Sequence, residues 1–195
     1  MRSDQCILGL TGSIGSGKST VAKVFLSMGI PVYFSDHKAK QLYWKDSVKE
    51  KVKQLFGDEV FSGHQIDVNA LARVAFANSD KLNKLNQIIH PLVAEDFDQW
   101  TEQQNTKAVI QESALVFEAG LKDRFDFVIT VSAPMDLRIQ RVMLRDQLSK
   151  DQVMKRMVHQ WPDQEKVKRA DFVIVNDGKQ LLVPQILQLM SSLSL

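Results

Sequence analysis

One octapeptide restricts this chain more than anything else in it: Gly12-Ser13-Ile14-Gly15-Ser16-Gly17-Lys18-Ser19. It fits G-x-x-x-x-G-K-[ST], the phosphate-binding loop, and holds three of the chain's nine glycines. Residues this small add little to a core. What they permit is a tight curl whose successive N–H groups point inward at an anion with no Cβ in the way. The flanks suit that use. Cys6–Thr11 (CILGLT) is short and apolar, as a buried strand should be, and Lys18–Met28 has helical spacing closed by Gly29. A helix starting at the loop offers unpaired N–H groups and the positive end of its dipole to the same phosphates. Lys18 then reaches the β- and γ-phosphates, and Ser19 holds Mg²⁺ through its hydroxyl. Composition alone produces this pattern in fewer than about one in a hundred chains, so a chance glycine turn is set aside. The nucleotide-binding residues expected here are Gly12, Ser13, Ile14, Gly15, Ser16, Gly17, Lys18, Ser19 and Thr20.

Further apolar, β-branched or aromatic runs follow at Ile30–Phe34, Lys107–Gln111, Phe125–Val131 and Asp171–Val175. Nearly continuous apolar strands belong to a parallel sheet covered on both faces. Pro134–Arg145, with Ser132 as candidate N-cap, and Gly178–Leu193 carry amphipathic helical patterns. Between Asp36 and Gln104 no convincing strand is found. Leu71, Val74, Ala75 and Asn78 keep helical spacing there, as do Leu82, Leu85, Ile89, Leu92, Val93 and Trp100. His90-Pro91 marks a kink or a helix boundary in the second pattern. The fold class expected is α/β: a parallel sheet flanked by helices, with an all-helical insertion.

Composition excludes several alternatives. A chain of 195 residues, 44% hydrophobic and 25% charged, can bury such a core as one domain. No run approaches the roughly eighteen apolar residues of a membrane span, and the start lacks a signal-peptide pattern. Cys6 is the only cysteine, which rules out an intrachain disulfide and points to the cytoplasm. A net charge of +2 gives no reason to expect a nucleic-acid partner, and the four histidines are too scattered for a zinc site.

The loop implies a nucleotide without saying what happens to its γ-phosphate. A guanine switch protein carries N-K-x-D, which is missing; Asn176-Asp177 has the wrong order. An assembly ATPase ends an apolar strand in acids, and Lys107–Glu112 (KAVIQE) is only a faint version of that. A small-molecule kinase needs an acid beside the acceptor hydroxyl, an acceptor pocket and cations that close over the phosphoryl group. Asp36, just past the second strand, is the candidate acid, with helix capping as its plain alternative. Arg138, Arg141 and Arg145 fall at i, i+3 and i+7 on one helix face, and a solvated basic stripe is their plain alternative. Lys150, Lys155, Arg156, Lys166, Lys168 and Arg169 continue the basic run.

At this point the residues carry a resemblance. GLTGSIGSGKSTVA, FANSDKLNKLNQIIHP (Phe76–Pro91), LVFE (Leu115–Glu118), QRVMLRD (Gln140–Asp146) and ADFVIVNDG (Ala170–Gly178) resemble, in this order, the blocks of the dephospho-coenzyme A kinase family. The resemblance implies ATP-dependent phosphorylation of the ribose 3′-hydroxyl of dephospho-CoA, with Mg²⁺ as cofactor. It makes Asp36 the catalytic carboxylate, with Lys18, Arg141 and Arg145 neutralising the transferring group. It sets Asn176 and Gly178 near the adenine of ATP. Phe76, Asn78, His90, Leu115 and Glu118 fall on the acceptor side, His90 as substrate contact or as structural cap. Two departures stand out: Phe34 replaces the family's first acid, and Ala114 replaces its proline before LVFE. The implied organisation is a core at about 1–35, 105–142 and 167–195, an acceptor subdomain at about 36–104 and a lid at about 143–166. The partners expected are ATP and dephospho-CoA, with no nucleic acid and no membrane. A monomer is expected, with a small homo-oligomer as the alternative. The rival readings are a kinase of another metabolite, such as a nucleoside, nucleotide or shikimate-like acceptor, and a nucleotide-dependent switch.

Overall fold

The computed structural model describes residues 5–195, apart from the side chains of Phe76 and Ser79. Two compact units emerge. One runs to Phe34 and resumes at Gln104, and the other spans Ser35–Gln103.

The first unit is built on five parallel strands: β1 (Cys6–Thr11), β2 (Val32–Phe34), β5 (Ala108–Glu112), β6 (Phe127–Ser132) and β7 (Phe172–Val175), in the order β2-β5-β1-β6-β7. Alternate residues of each strand serve opposite faces, which is why the strands read as continuous apolar runs. Leu8 and Leu10 of β1 join Ile129 and Val131 of β6 under α1 (Lys18–Ser27) and α9 (Leu182–Ser192), where Phe25 and Ile186 are fully buried. Ile7 and Val128 belong to the other cluster, with Val116, Phe117 and Phe125. Gly9 is required on that face, since a Cβ there would stand 2.7 Å from the Phe125 ring. The remaining helices of this unit are α6 (Met135–Asp146), α7 (Lys150–Met157) and α8 (Asp163–Arg169). Ser132 does not cap α6; Pro134 stands at that position and makes no side-chain bond.

The second unit holds α2 (Ser35–Leu42), α3 (Asp46–Phe56), α4 (Val68–Phe76) and α5 (Ser79–Glu102). Val48, Val52 and Phe56 line one side of α3 and are buried, as i, i+4 spacing demands. A two-residue hairpin, β3 (Phe61–Ser62) with β4 (Gln65–Ile66), sits between α3 and α4 where no strand is read from the sequence. Two-residue strands are too short to show alternation, and only tertiary pairing reveals them. His90-Pro91 is not a boundary: α5 runs for 24 residues, about 36 Å, with Pro91 inside it. Proline deprives the Gln87 carbonyl of its helical donor, but Gln87 and Pro91 are both exposed, so water can serve it.

Candidate active site

β1 hands the chain to Gly12 at the carboxyl edge of the sheet, between the ends of β5 and β6. Gly12, Gly15 and Gly17 have φ of 152°, 80° and 95°. A Cβ on Gly12 would stand 2.5 Å from the Val131 carbonyl oxygen; on Gly15 it would meet the backbone of Arg138, and on Gly17 the side-chain amide of Asn176. Contact as well as torsion therefore demands glycine at all three places. Gly17 occupies the N-cap of α1 without a side-chain cap, and the first turn carries no acid. Among the described residues, the amides of Gly15, Gly17, Lys18 and Ser19 take no protein acceptor. The enclosed Ser16 hydroxyl has no hydrogen-bond partner either. Four unspent N–H groups at a helix N-terminus, with a lysine beside them, form an anion site.

Lys18 Nζ lies 2.7 Å from Oε1 of Glu112, with the two side chains only 13% and 4% exposed. Glu112 ends β5 and pairs in register with Leu10 of β1, which brings its carboxylate to the loop. This acid is missed as a site residue in the sequence, where KAVIQE shows only that an acid follows a strand. Arg141 donates Nη1 to the carbonyls of Gly15 and Ser16 at 3.4 Å each, and Nη2 to Asn176 Oδ1 at 3.2 Å. Asn176 donates Nδ2 to the Ser16 carbonyl at 2.8 Å. The arginine stripe thus divides. Arg138 is buried against Gly15 and Arg141 braces the loop, whereas Arg145, 63% exposed, binds Asp146 at 2.7 Å. Arg145, with Arg156 helping, holds the Asp146 carboxyl below its usual range. Gly178, at φ 80°, lies in the exposed turn after β7, where Asp177 accepts from the amides of Lys179 and Gln180.

Leu115 and Glu118 lie in the loop after β5. Glu118 Oε1 accepts from the Trp161 N–H at 2.8 Å and lies 2.7 Å from Lys166 Nζ, which also donates to the Ala114 carbonyl at 2.6 Å. Lys166, read from the sequence as one of a basic run, is fully buried, and burial pushes its pKa down. Phe117 packs in the core with its ring 6.3 Å from that of Trp161. In the helical unit, Asp36 is exposed in the first turn of α2, two residues beyond β2, where the helix dipole favours a carboxylate. Asn78 caps α5, accepting from the amides of Asp80 and Lys81 at 3.0 Å each. His90 is half-buried in α5, and burial lowers its pKa. The side chain of Phe76 lies outside the described residues.

The family model described as dephospho-CoA kinase matches residues 6–181. The chain belongs to the dephospho-CoA kinase family. A Bacteroides fragilis relative named dephospho-CoA kinase is 43% identical over 188 residues, which cover 95% of this chain and 92% of the relative. A crystal structure from Thermus thermophilus matches with a TM-score of 0.88 at 35% identity, over 96% of this chain and 97% of that one. A dephospho-CoA kinase structure from Campylobacter jejuni gives 0.67 at 25% identity, over 96% of each chain. The resemblance carried by the ordered blocks therefore holds, as does the α/β fold. Kinases of this family imply Mg²⁺, and the residues present fit it. Mg²⁺ keeps most of its waters and takes one or two protein oxygens. Ser19 is exposed in the first turn of α1, and among the described residues no group of three or more His, Cys, Asp or Glu could hold a metal by itself.

Proposed function

We propose that this dephospho-CoA kinase family member transfers the γ-phosphoryl group of ATP to the ribose 3′-hydroxyl of dephospho-CoA, giving coenzyme A and ADP. The observation that carries the reading is the set of four unspent amides beside Lys18, inside a chain that matches the family almost end to end. The triphosphate lies on Gly12–Thr20, and Lys18 leaves Glu112 to reach its β- and γ-oxygens. Ser19 would hold Mg²⁺, which would supply charge neutralisation to the triphosphate when bound. Asp36 accepts a hydrogen bond from the 3′-hydroxyl and aims its oxygen at the γ-phosphorus. As that O–P bond forms, the bond to the β–γ bridging oxygen breaks, the proton passes to Asp36 and ADP departs. Arg141, and Arg145 once released from Asp146, spread positive charge around the moving phosphoryl. Asn176 and Gly178 lie on the adenine side. Asn78 and His90 serve the acceptor, as do Leu115 and Glu118, and about 143–166 forms a lid whose helix α7 closes over ATP. The protein acts as a monomer on small molecules in the cytoplasm, where a chain with a single cysteine needs no disulfide.

The test is incubation with ATP, Mg²⁺ and an acceptor panel of dephospho-CoA, shikimate and nucleosides, with products weighed by mass spectrometry. Dephospho-CoA should gain one phosphate, and Asp36→Asn should slow that by orders of magnitude while ATP affinity persists. Transfer to another acceptor but not to dephospho-CoA would overturn the reading, and full turnover in Asp36→Asn would remove Asp36 from it.

A further inference from the structure

The phosphate loop is gripped by two different sets of elements. Arg141 and Asn176 hold the carbonyls of Gly15 and Ser16. A second grip comes from Gln160, in the stretch that joins α7 to α8, and from Asp163, the first residue of α8. The Ile14 N–H donates to Gln160 Oε1 at 2.7 Å, and the Ser13 hydroxyl donates to Asp163 Oδ1 at 3.1 Å. The other oxygen of Asp163 accepts from the hydroxyl of Ser132, the last residue of β6, at 2.5 Å. Two consecutive loop residues therefore answer to one four-residue segment that lies 146 and 150 positions away in sequence.

That segment is itself anchored. Between Gln160 and Asp163, Trp161 donates its N–H to Glu118 and stacks on Phe117, while the Arg169 guanidinium stands 4.9 Å from the Trp161 ring. Three residues past Asp163, the buried Lys166 joins Glu118 and the Ala114 carbonyl. So 160–166 is a strap, fixed on the Ala114–Glu118 loop and reaching up to the crest of the phosphate loop. A loop with three glycines is soft, and its amides stabilise a transferring phosphoryl only if they already point the right way.

We propose that Gln160 and Asp163 are positioning residues for phosphoryl transfer, holding Ile14 and Ser13 so that the amides beyond them face the phosphates. The proposal rests on the phosphoryl-transfer reading above. It also gives the strap a second consequence: α7 leads directly into Gln160, so displacement of α7 reaches the phosphate loop through these two bonds.

Three variants test it: Gln160→Met, which keeps length but accepts no hydrogen bond, Asp163→Ala, and Asp163→Asn, which keeps an acceptor for Ser13. ATP affinity is read by calorimetry, transfer by steady-state kinetics and folding by thermal unfolding. Gln160→Met and Asp163→Ala should each lower kcat/KM for ATP by about tenfold or more, with KM for dephospho-CoA within about twofold of the parent. Asp163→Asn should recover most of the loss. Unchanged ATP parameters in Gln160→Met would overturn the proposal, as would losses in all three that simply follow their unfolding temperatures. Calorimetry separates the two readings. If the parent binds ATP but transfers nothing to dephospho-CoA, the acceptor assignment fails, while a tenfold weaker ATP isotherm for Gln160→Met still supports the strap.

Discussion

Lys166→Met removes one of two charges that the fold encloses together. Lys166 is 0% exposed and its ammonium lies 2.7 Å from Glu118, itself 12% exposed. Deleting the cation leaves a carboxylate that keeps only the Trp161 N–H, with its second oxygen already lacking a hydrogen-bond partner. Breaking a buried pair this way costs about 3–5 kcal/mol. The small residual exposure of Glu118 sets the expectation at the low end, about 3 kcal/mol. At about 2–4 °C per kcal/mol for a chain of this size, the unfolding temperature should fall by roughly 6–12 °C. Urea titration followed by tryptophan fluorescence suits the measurement, since the Trp161 backbone N–H bonds the same carboxylate and its ring stacks on Phe117. The companion variant, Lys166→Met with Glu118→Gln, removes the stranded charge while leaving an oxygen for Trp161, and should regain more than half of the loss. A single variant that costs less than about 1 kcal/mol, or a double variant no better than the single, would mean that the carboxylate is solvated and that no charge is stranded.

Gly17→Ala should abolish measurable ATP binding while shifting the unfolding midpoint by only a few degrees; φ of 95° costs a side chain about 1–2 kcal/mol and the added methyl runs into Asn176. An ordinary ATP isotherm would contradict this. Asn78→Ala should cost about 1 kcal/mol through loss of the α5 cap, whereas Asn78→Asp should keep the stability; denaturant midpoints decide. Burial holds the His90 pKa below its ordinary 6.5, so the folded protein binds fewer protons than the unfolded chain as pH falls below that value. His90 therefore contributes a stability that is full above pH 6.5 and lost as pH drops through its lowered pKa. His90→Gln should flatten that slope in urea titrations at about pH 5 and pH 7, and an unaltered slope would assign it to other groups.

Much of this molecule is written locally. Glycine spacing, the apolar run before it and the helical run after it specify the phosphate loop because each demand is met by neighbours in the chain: torsion, absence of Cβ, strand and helix period. The same holds for β1, read from the sequence as Cys6–Thr11 and found there, and for the helix that starts at Lys18. Where a signal is weak or conflicting, packing decides. The β3–β4 hairpin is too short to leave a pattern, and Pro91 is carried inside α5 because α2, α3 and α4 pack along that helix while its proline faces water.

Fold class, the anion-binding loop and the order of blocks that marks the family are all legible in the residues taken alone. Which charges meet is settled by packing. Glu112 reaches Lys18 through strand register, Gln160 and Asp163 reach the loop from some 150 positions away, and Lys166 turns inward where a basic run suggests solvent. Backbone preference acts over a few residues, whereas pairing and burial of a charge depend on what the folded chain brings alongside it.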